Sequence, residues 1–220
     1  MHPAIQSTID FVKQDMDWVC NAHDRYHIER VRKNAQRIYT AEQQGDFFVI
    51  QLGALLHEAF DEKFFDTVTF VKREIYVRDF LESLAISKDQ VEAVLFIANN
   101  VWFGKSMERD PQMILPIEMQ IVEDADRLDA IGAIAIARTF SYGGKHKRAI
   151  YDPSILPETI RSQKDYHGAR ETTSINHFYE KLLILKDLMH TKTGKSVAQQ
   201  KHMYMQWFLD QFFAERNSER

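Results

Sequence analysis

The sequence contains a single cysteine, Cys20, which excludes an intramolecular disulfide and fits a reducing compartment. It has no apolar run of the roughly 18 to 20 residues needed to cross a bilayer. Its first residues do not place a basic segment before an apolar one, as a signal peptide would. The formal net charge of -4 provides no basic surface for a nucleic-acid backbone. We therefore expect a soluble, cytoplasmic protein that binds neither membranes nor nucleic-acid polymers.

Helical spacing of apolar residues recurs along the whole chain, and no segment shows the alternation of a strand. With 220 residues, 45% of them hydrophobic, the chain can bury one sizeable core. The pattern predicts helices over residues 3–19, 24–44, 47–59, 65–84, 117–140, 174–189 and 197–213, and another capped by Ser87. We predict an all-α fold in one domain spanning residues 1–220, with a core at about 20–140 and C-terminal helices at 174–215 packed on it.

The helix predicted at residues 47–59 carries apolar side chains on almost every side, which is typical of a helix enclosed by others. Asp46 is placed to cap it. Its last turn contains His57 and Glu58. A buried imidazole and carboxylate need partners, and a divalent cation satisfies both. The alternative is a His-Glu pair at a frayed helix end that faces water.

Four polar residues of the second predicted helix, His23, His27, Arg30 and Asn34, recur at intervals of three or four and therefore share one side. His23 and His27 have the spacing of the zincin metalloprotease helix. That motif requires a glutamate directly after its first histidine, whereas this chain has Asp24. The protease interpretation is therefore rejected.

The helix predicted at residues 117–140 contains four acids within residues 123–129. We interpret Glu123 and Arg127 as part of a solvated face. Asp126 and Asp129 lie three apart, so at least one should point toward the core and need a cation there.

Residues 142–163 combine two adjacent glycines, several basic residues and two prolines, and they predict a long mobile loop or lid. The glycines lack the spacing and the following Lys-Ser/Thr of a P-loop. A phosphate-binding loop of that type is therefore excluded.

Three distant stretches together supply two imidazoles and two carboxylates, from His27, His57, Glu58 and Asp126. This mixed nitrogen and oxygen set suits manganese, iron, zinc or nickel. Four protein ligands on an octahedral ion leave two positions for water and a substrate oxygen, which is an arrangement for hydrolysis.

The order of these ligands resembles the H…HD…D signature of HD-domain metal-dependent phosphohydrolases. Five segments, HDRYHIERV, ALLHEAFDEKF, VEDADRLDAIGAI, ARTFSYGG and INHFYEKLLILKDLM, are similar to the bacterial subfamily that includes YpgQ and YedJ. The resemblance covers nearly the whole chain from His23 onward. It implies a helical HD domain that holds one divalent metal ion, manganese first and magnesium, nickel, iron or zinc as alternatives. It also implies hydrolysis of a phosphate ester or phosphoanhydride in a small phosphorylated molecule, with nucleotides as the substrates expected for this subfamily.

The resemblance also implies roles for residues around the metal ligands. Asp61 would orient or deprotonate the attacking water. Lys63 would be a second catalytic residue, and its positive charge would bind a phosphate group of the substrate. Further substrate contacts are assigned to His23, Arg30 and Arg127.

Position 58 departs from the signature, which usually has Asp where this chain has Glu58. The extra methylene moves the carboxylate by roughly 1 to 1.5 Å unless the rotamer compensates, and we expect ligation with altered affinity. Two alternatives stay open. One is a metal- or nucleotide-binding protein whose catalysis has lapsed, and the other is a structural helical protein whose His and Asp side chains satisfy one another.

Overall fold

The chain folds into α-helices, and no β-strand occurs in the residues that the structure describes. The structure is a computed structural model, and it describes residues 2–15, 25–60, 67–110, 112–159 and 172–219. The all-α prediction is confirmed. The α-helices are α1 (Pro3–Asp15), α2 (Arg25–Glu42), α3 (Phe47–Leu56), α4 (Thr67–Glu82), α5 (Lys88–Asn100), α6 (Phe103–Glu108), α7 (Ile117–Asp129), α8 (Ala133–Lys145) and α9 (Lys192–Arg216). None of them combines the length and hydropathy that spanning a bilayer requires.

Helix α3 is enclosed by other helices, as its sequence predicts. Every residue from Val49 to Leu56 is buried, and α3 packs against α1, α2 and α5. The Asp46 side chain caps it by accepting from the backbone N–H groups of Phe48 and Val49 at 2.8 and 3.3 Å. The helix ends at Leu56, and residues 57–60 form a turn. The predicted helix was therefore three residues too long at its C-terminus.

Helix α5 begins at a capping box. Ser87 Oγ accepts from the Gln90 backbone N–H, and the Gln90 side chain accepts from the Ser87 backbone N–H. This confirms Ser87 as a cap. Short-range hydrogen bonds of this kind fix where α5 starts, and its buried face then packs on α3.

The prediction of a single helix over residues 117–140 is wrong, because residues 130–132 are not helical and separate α7 from α8. Gly132 has φ = +88°, in the left-handed region that favours glycine. The Lys201 stem lies 3.2 Å from where a Gly132 Cβ would stand. Apolar periodicity continues across this break, so spacing alone did not reveal it.

The chain divides into two compact units, Met1–Asp126 and Arg127–Arg220. In the second unit, α8 packs against α9, and Phe140, Phe178 and Phe208 cluster with ring centroids 5.7 to 6.2 Å apart. The segment predicted as one helix over residues 174–189 is instead a π-helical turn (Phe178–Leu182) followed by a 3-10 turn (Leu185–Leu188). The first residues of the predicted loop at 142–163 belong to α8, and residues 160–163 lie outside the described part. The single-domain assignment stays a prediction.

Candidate metal centre

The histidine from α2 and the His-Glu pair after α3 meet inside the first unit. His27, His57 and Glu58 are all buried, and one potential ligand atom from each lies within 4.8 Å of the others. His27 follows the start of α2, whereas His57 and Glu58 occupy the turn that ends α3. Because α2 and α3 pack directly, residues 30 positions apart in sequence become neighbours.

Hydrogen bonding fixes which nitrogen His57 presents to the cluster. His57 Nδ1 lies 2.8 Å from the Ala54 carbonyl oxygen. A carbonyl only accepts, so Nδ1 carries the proton and donates. Burial lowers the pKa of His57, and the carboxylates of Glu58 and Asp126 oppose that effect. A neutral ring then leaves the Nε2 lone pair directed at the cluster, as metal ligation requires.

The fourth predicted ligand, Asp126 on α7, reaches the same point. Its Oδ1 lies 3.5 Å from His27 Nε2 and 3.8 Å from His57 Nε2. The two Nε2 atoms are 3.0 Å apart, and Glu58 Oε1 is 3.2 Å from that of His27 and 3.6 Å from that of His57. The Asp126 side chain is 25% exposed, so the cluster has a side that solvent can reach.

These spacings fit one divalent ion. Ligands bound at about 2.1 Å lie about 3.0 Å apart at right angles and about 3.4 Å apart at the tetrahedral angle. The distance between the two Nε2 atoms and the four distances from them to Glu58 Oε1 and Asp126 Oδ1 run from 3.0 to 3.8 Å. Hydrogen bonds of His27 Nε2 account for its distances to His57 Nε2 and Glu58 Oε1. One ion among the four side chains is compatible with all five distances. The extra methylene of Glu58 therefore does not keep its Oε1 away from the two imidazoles.

The other predicted site residues divide into two groups. His23, Asp61 and Lys63 lie outside the described residues. Arg30 is half-buried on α2, three residues beyond His27 and so on roughly the same side of the helix. The substrate contact predicted for Arg30 stays a prediction, as do the roles predicted for His23, Asp61 and Lys63.

The solvated face predicted for Glu123 and Arg127 is wrong. Arg127 is buried, and its Nη1 donates to the Leu188 carbonyl at 2.6 Å and to His190 Nε2 at 3.0 Å. Glu123 is buried too, and its Oε1 accepts from Arg109 Nη2 at 2.6 Å. Pairing of these groups offsets the cost of removing them from water. The proposed contact of Arg127 with substrate stays a prediction.

The expectation that Asp126 or Asp129 faces the interior is confirmed, and the two are satisfied differently. Asp129 is buried and accepts from Arg138 Nη1 at 3.1 Å. Asp126 is the one that lies against the imidazoles of His27 and His57. Only Asp126 therefore belongs to the candidate metal centre.

The Arg109–Glu123 ion pair was not found by sequence reasoning. Arg109 Nη2 also donates to the Asn100 carbonyl oxygen at 2.9 Å, so it links the end of α5 to α7. Glu123 precedes Asp126 by three residues and lies on nearly the same side of α7. The pair thus holds α7 one turn before the candidate ligand Asp126.

Replacing Arg109 with methionine is expected to lower the free energy of unfolding by about 3 kcal/mol, because the buried Glu123 carboxylate loses its cation. Urea denaturation measures this. The matched control is Arg78→Met, which breaks the more exposed Arg78–Glu92 pair and should cost less than about 1 kcal/mol. Equal losses in the two variants would contradict a stabilising role for the buried pair.

Comparison with known proteins extends these findings. The sequence matches no family model. The Bacillus subtilis protein YpgQ is 34% identical over 194 residues, which cover 87% of this chain and 83% of YpgQ. A structure of YpgQ in complex with ADP has a TM-score of 0.73 and 29% identity over 96% of this chain and 97% of that one.

Two other solved structures are similar over almost their full lengths. An HD-superfamily hydrolase from Bacillus thuringiensis is 39% identical, with a TM-score of 0.75 over 97% of this chain and 96% of its own. A Lactobacillus plantarum protein is 32% identical, with a TM-score of 0.82 over 99% of both chains. The similarity therefore extends well beyond the candidate metal ligands.

Proposed function

The chain belongs to the HD superfamily of metal-dependent hydrolases, in the group that includes YpgQ, and from this we propose that it hydrolyses a phosphate ester or phosphoanhydride of a nucleotide. The observation that carries the proposal is that Glu58 Oε1 and Asp126 Oδ1 both lie 3.2 to 3.8 Å from the Nε2 atoms of His27 and His57, which are themselves 3.0 Å apart. The nucleotide is supported by the complex of YpgQ with ADP.

One divalent ion is proposed to bind to these four side chains. Two imidazoles and two carboxylates suit manganese, our first choice, and also iron, nickel or zinc, with magnesium as a harder alternative. When bound, such an ion supplies positive charge that polarises a phosphoryl group and makes water easier to deprotonate. The partly exposed Asp126 side chain marks the side from which substrate would approach.

The remaining roles belong to side chains of the chain itself. Asp61 would accept a proton from the attacking water. As that happens, the water oxygen forms a bond to phosphorus and the bond between phosphorus and the leaving-group oxygen breaks. Lys63, His23 and Arg30 would offset the charge that moves onto the phosphate and the leaving group, with Arg127 as a further candidate. A small phosphorylated molecule is thus the proposed partner.

A panel of phosphate compounds tests the proposal. Chelator-treated protein is supplied with manganese, magnesium, nickel or zinc, and the products from nucleoside triphosphates, diphosphates and monophosphates are identified by chromatography. We expect metal-stimulated release of phosphate or pyrophosphate from a nucleotide, and none in the metal-free protein.

Other outcomes of the panel select the alternatives. Saturable nucleotide binding without hydrolysis under any metal would identify a binding protein whose catalysis has lapsed at Glu58. Absence of both metal binding and nucleotide binding would leave a structural protein in which the four side chains only satisfy one another.

A further inference from the structure

The two helices that carry His27 and Asp126 are also joined by an amide that no metal role requires. Asn34 lies on α2, and its Nδ2 donates to the Ala125 carbonyl oxygen of α7 at 3.2 Å. Ala125 directly precedes Asp126 in sequence. The hydrogen bond therefore acts on the backbone next to a candidate metal ligand.

Helix geometry places Asn34 and His27 on one face. They are seven residues apart, which is close to two turns and about 10.5 Å along the axis. On this face of α2, His27 Nε2 lies 3.5 Å from Asp126 Oδ1, and Asn34 donates a hydrogen bond to the backbone of α7. A carbonyl oxygen has two lone pairs, so Ala125 can accept from Asn34 and from its own helix together.

Metal ligation needs more accurate spacing than packing provides. Apolar contacts between helices tolerate small sliding motions, whereas distances from a metal ion to its ligands hold to about 0.2 Å. His27 comes from α2 and Asp126 from α7, so sliding of one helix along the other would change their separation. A directional hydrogen bond between the two helices opposes that sliding.

We propose that Asn34 is a positioning residue of the metal centre, holding α7 against α2 so that Asp126 and His27 meet the same ion. This rests on the metal site of the proposed function. It assigns to Asn34 no contact with the metal, the water or the substrate. Partners that orient metal ligands from outside typically contribute about 10- to 100-fold in metal affinity.

The test compares Mn²⁺ binding by the full chain with that of two variants. Asn34→Ala removes the donor, and Asn34→Leu removes it while keeping most of the bulk. Calorimetric titration of chelator-treated protein should show Mn²⁺ binding about tenfold weaker in both variants. The melting temperature of the metal-free protein is measured alongside, because a merely structural role would lower that temperature without changing Mn²⁺ affinity.

Asn100→Ala is the matched control. The Asn100 Nδ2 group donates to the Phe96 carbonyl at 2.8 Å within its own helix and joins no two ligand-bearing helices. This variant should bind Mn²⁺ within about twofold of the unaltered chain, since an amide hydrogen bond is lost without a change in ligand spacing.

Each other outcome has a definite meaning. Mn²⁺ affinity within twofold of the unaltered chain in the Asn34→Leu variant would overturn the inference and leave the metal site standing. An unaltered chain that binds no Mn²⁺ would overturn both. An unaltered chain that binds Mn²⁺ but hydrolyses no nucleotide would end the proposed activity alone, and the role of Asn34 would still be decided by the titration.

Discussion

Replacing His57 with alanine is expected to abolish metal binding and hydrolysis together. His57 Nε2 lies 3.0 Å from His27 Nε2 and within 3.8 Å of Glu58 Oε1 and Asp126 Oδ1. It is therefore close to the proposed ligand atom of each of the other three side chains. Metal content should fall from about one ion per chain to near zero. Because a bound ion is worth several kcal/mol of transition-state stabilisation, kcat/KM should fall by about 10³-fold or more. Elemental analysis and phosphate release measure the two effects.

His202→Ala is the control for this substitution. His202 is also a buried histidine, but it lies on α9 in the second unit. The His202→Ala substitution should lower the free energy of unfolding but leave the metal content at about one ion per chain. Full metal-stimulated hydrolysis by His57→Ala protein would contradict the assignment of the site.

Changing Glu58 to glutamine should weaken metal binding by about 100-fold, because the amide keeps the shape of the side chain but removes one of the two ligand charges. Glu58 Oε1 lies 3.2 Å from His27 Nε2, close enough for both atoms to bind the proposed ion. Glu58→Asp keeps the charge and restores the residue usual in the signature, so its effect should be smaller than that of Glu58→Gln. Competition with a calibrated chelator measures both affinities.

These two variants decide how the chain accommodates its unusual residue. Metal affinity that is unchanged in Glu58→Gln would mean that Glu58 lies beside the ion without binding it. A larger loss in Glu58→Asp than in Glu58→Gln would mean that reach matters more than charge. The first result would remove Glu58 from the proposed ligand set, the second would keep it there, and neither would change the fold.

Features fixed by short-range hydrogen bonds were predicted well from the sequence. The caps at Asp46 and Ser87 depend on neighbours within three residues, so a local pattern carries them. The break at Gly132 was missed because apolar residues keep helical spacing across it. The left-handed backbone there lies beside the Lys201 stem, which comes from a distant part of the chain.

The candidate metal centre was predicted in composition but not in geometry. Residue types and order predicted His27, His57, Glu58 and Asp126 as ligands, an assignment that stays a prediction. The distances between these side chains follow from the packing of α2 and α3 and from the position of α7. The burial of Glu123 could not be predicted from its acidic neighbours. Its partner Arg109 lies 14 residues earlier, just after the short helix α6 in a segment rich in turn-forming residues, and no periodicity links the two.

The claim on which the function depends is that four side chains from separate parts of the chain bind one ion. Anomalous diffraction at the manganese absorption edge, from crystals grown with Mn²⁺, tests it directly. We predict a single strong peak about 2.0 to 2.3 Å from His27 Nε2, His57 Nε2 and carboxylate oxygens of Glu58 and Asp126. A map with no peak among these atoms at saturating Mn²⁺, or with its peak elsewhere in the chain, would contradict the account.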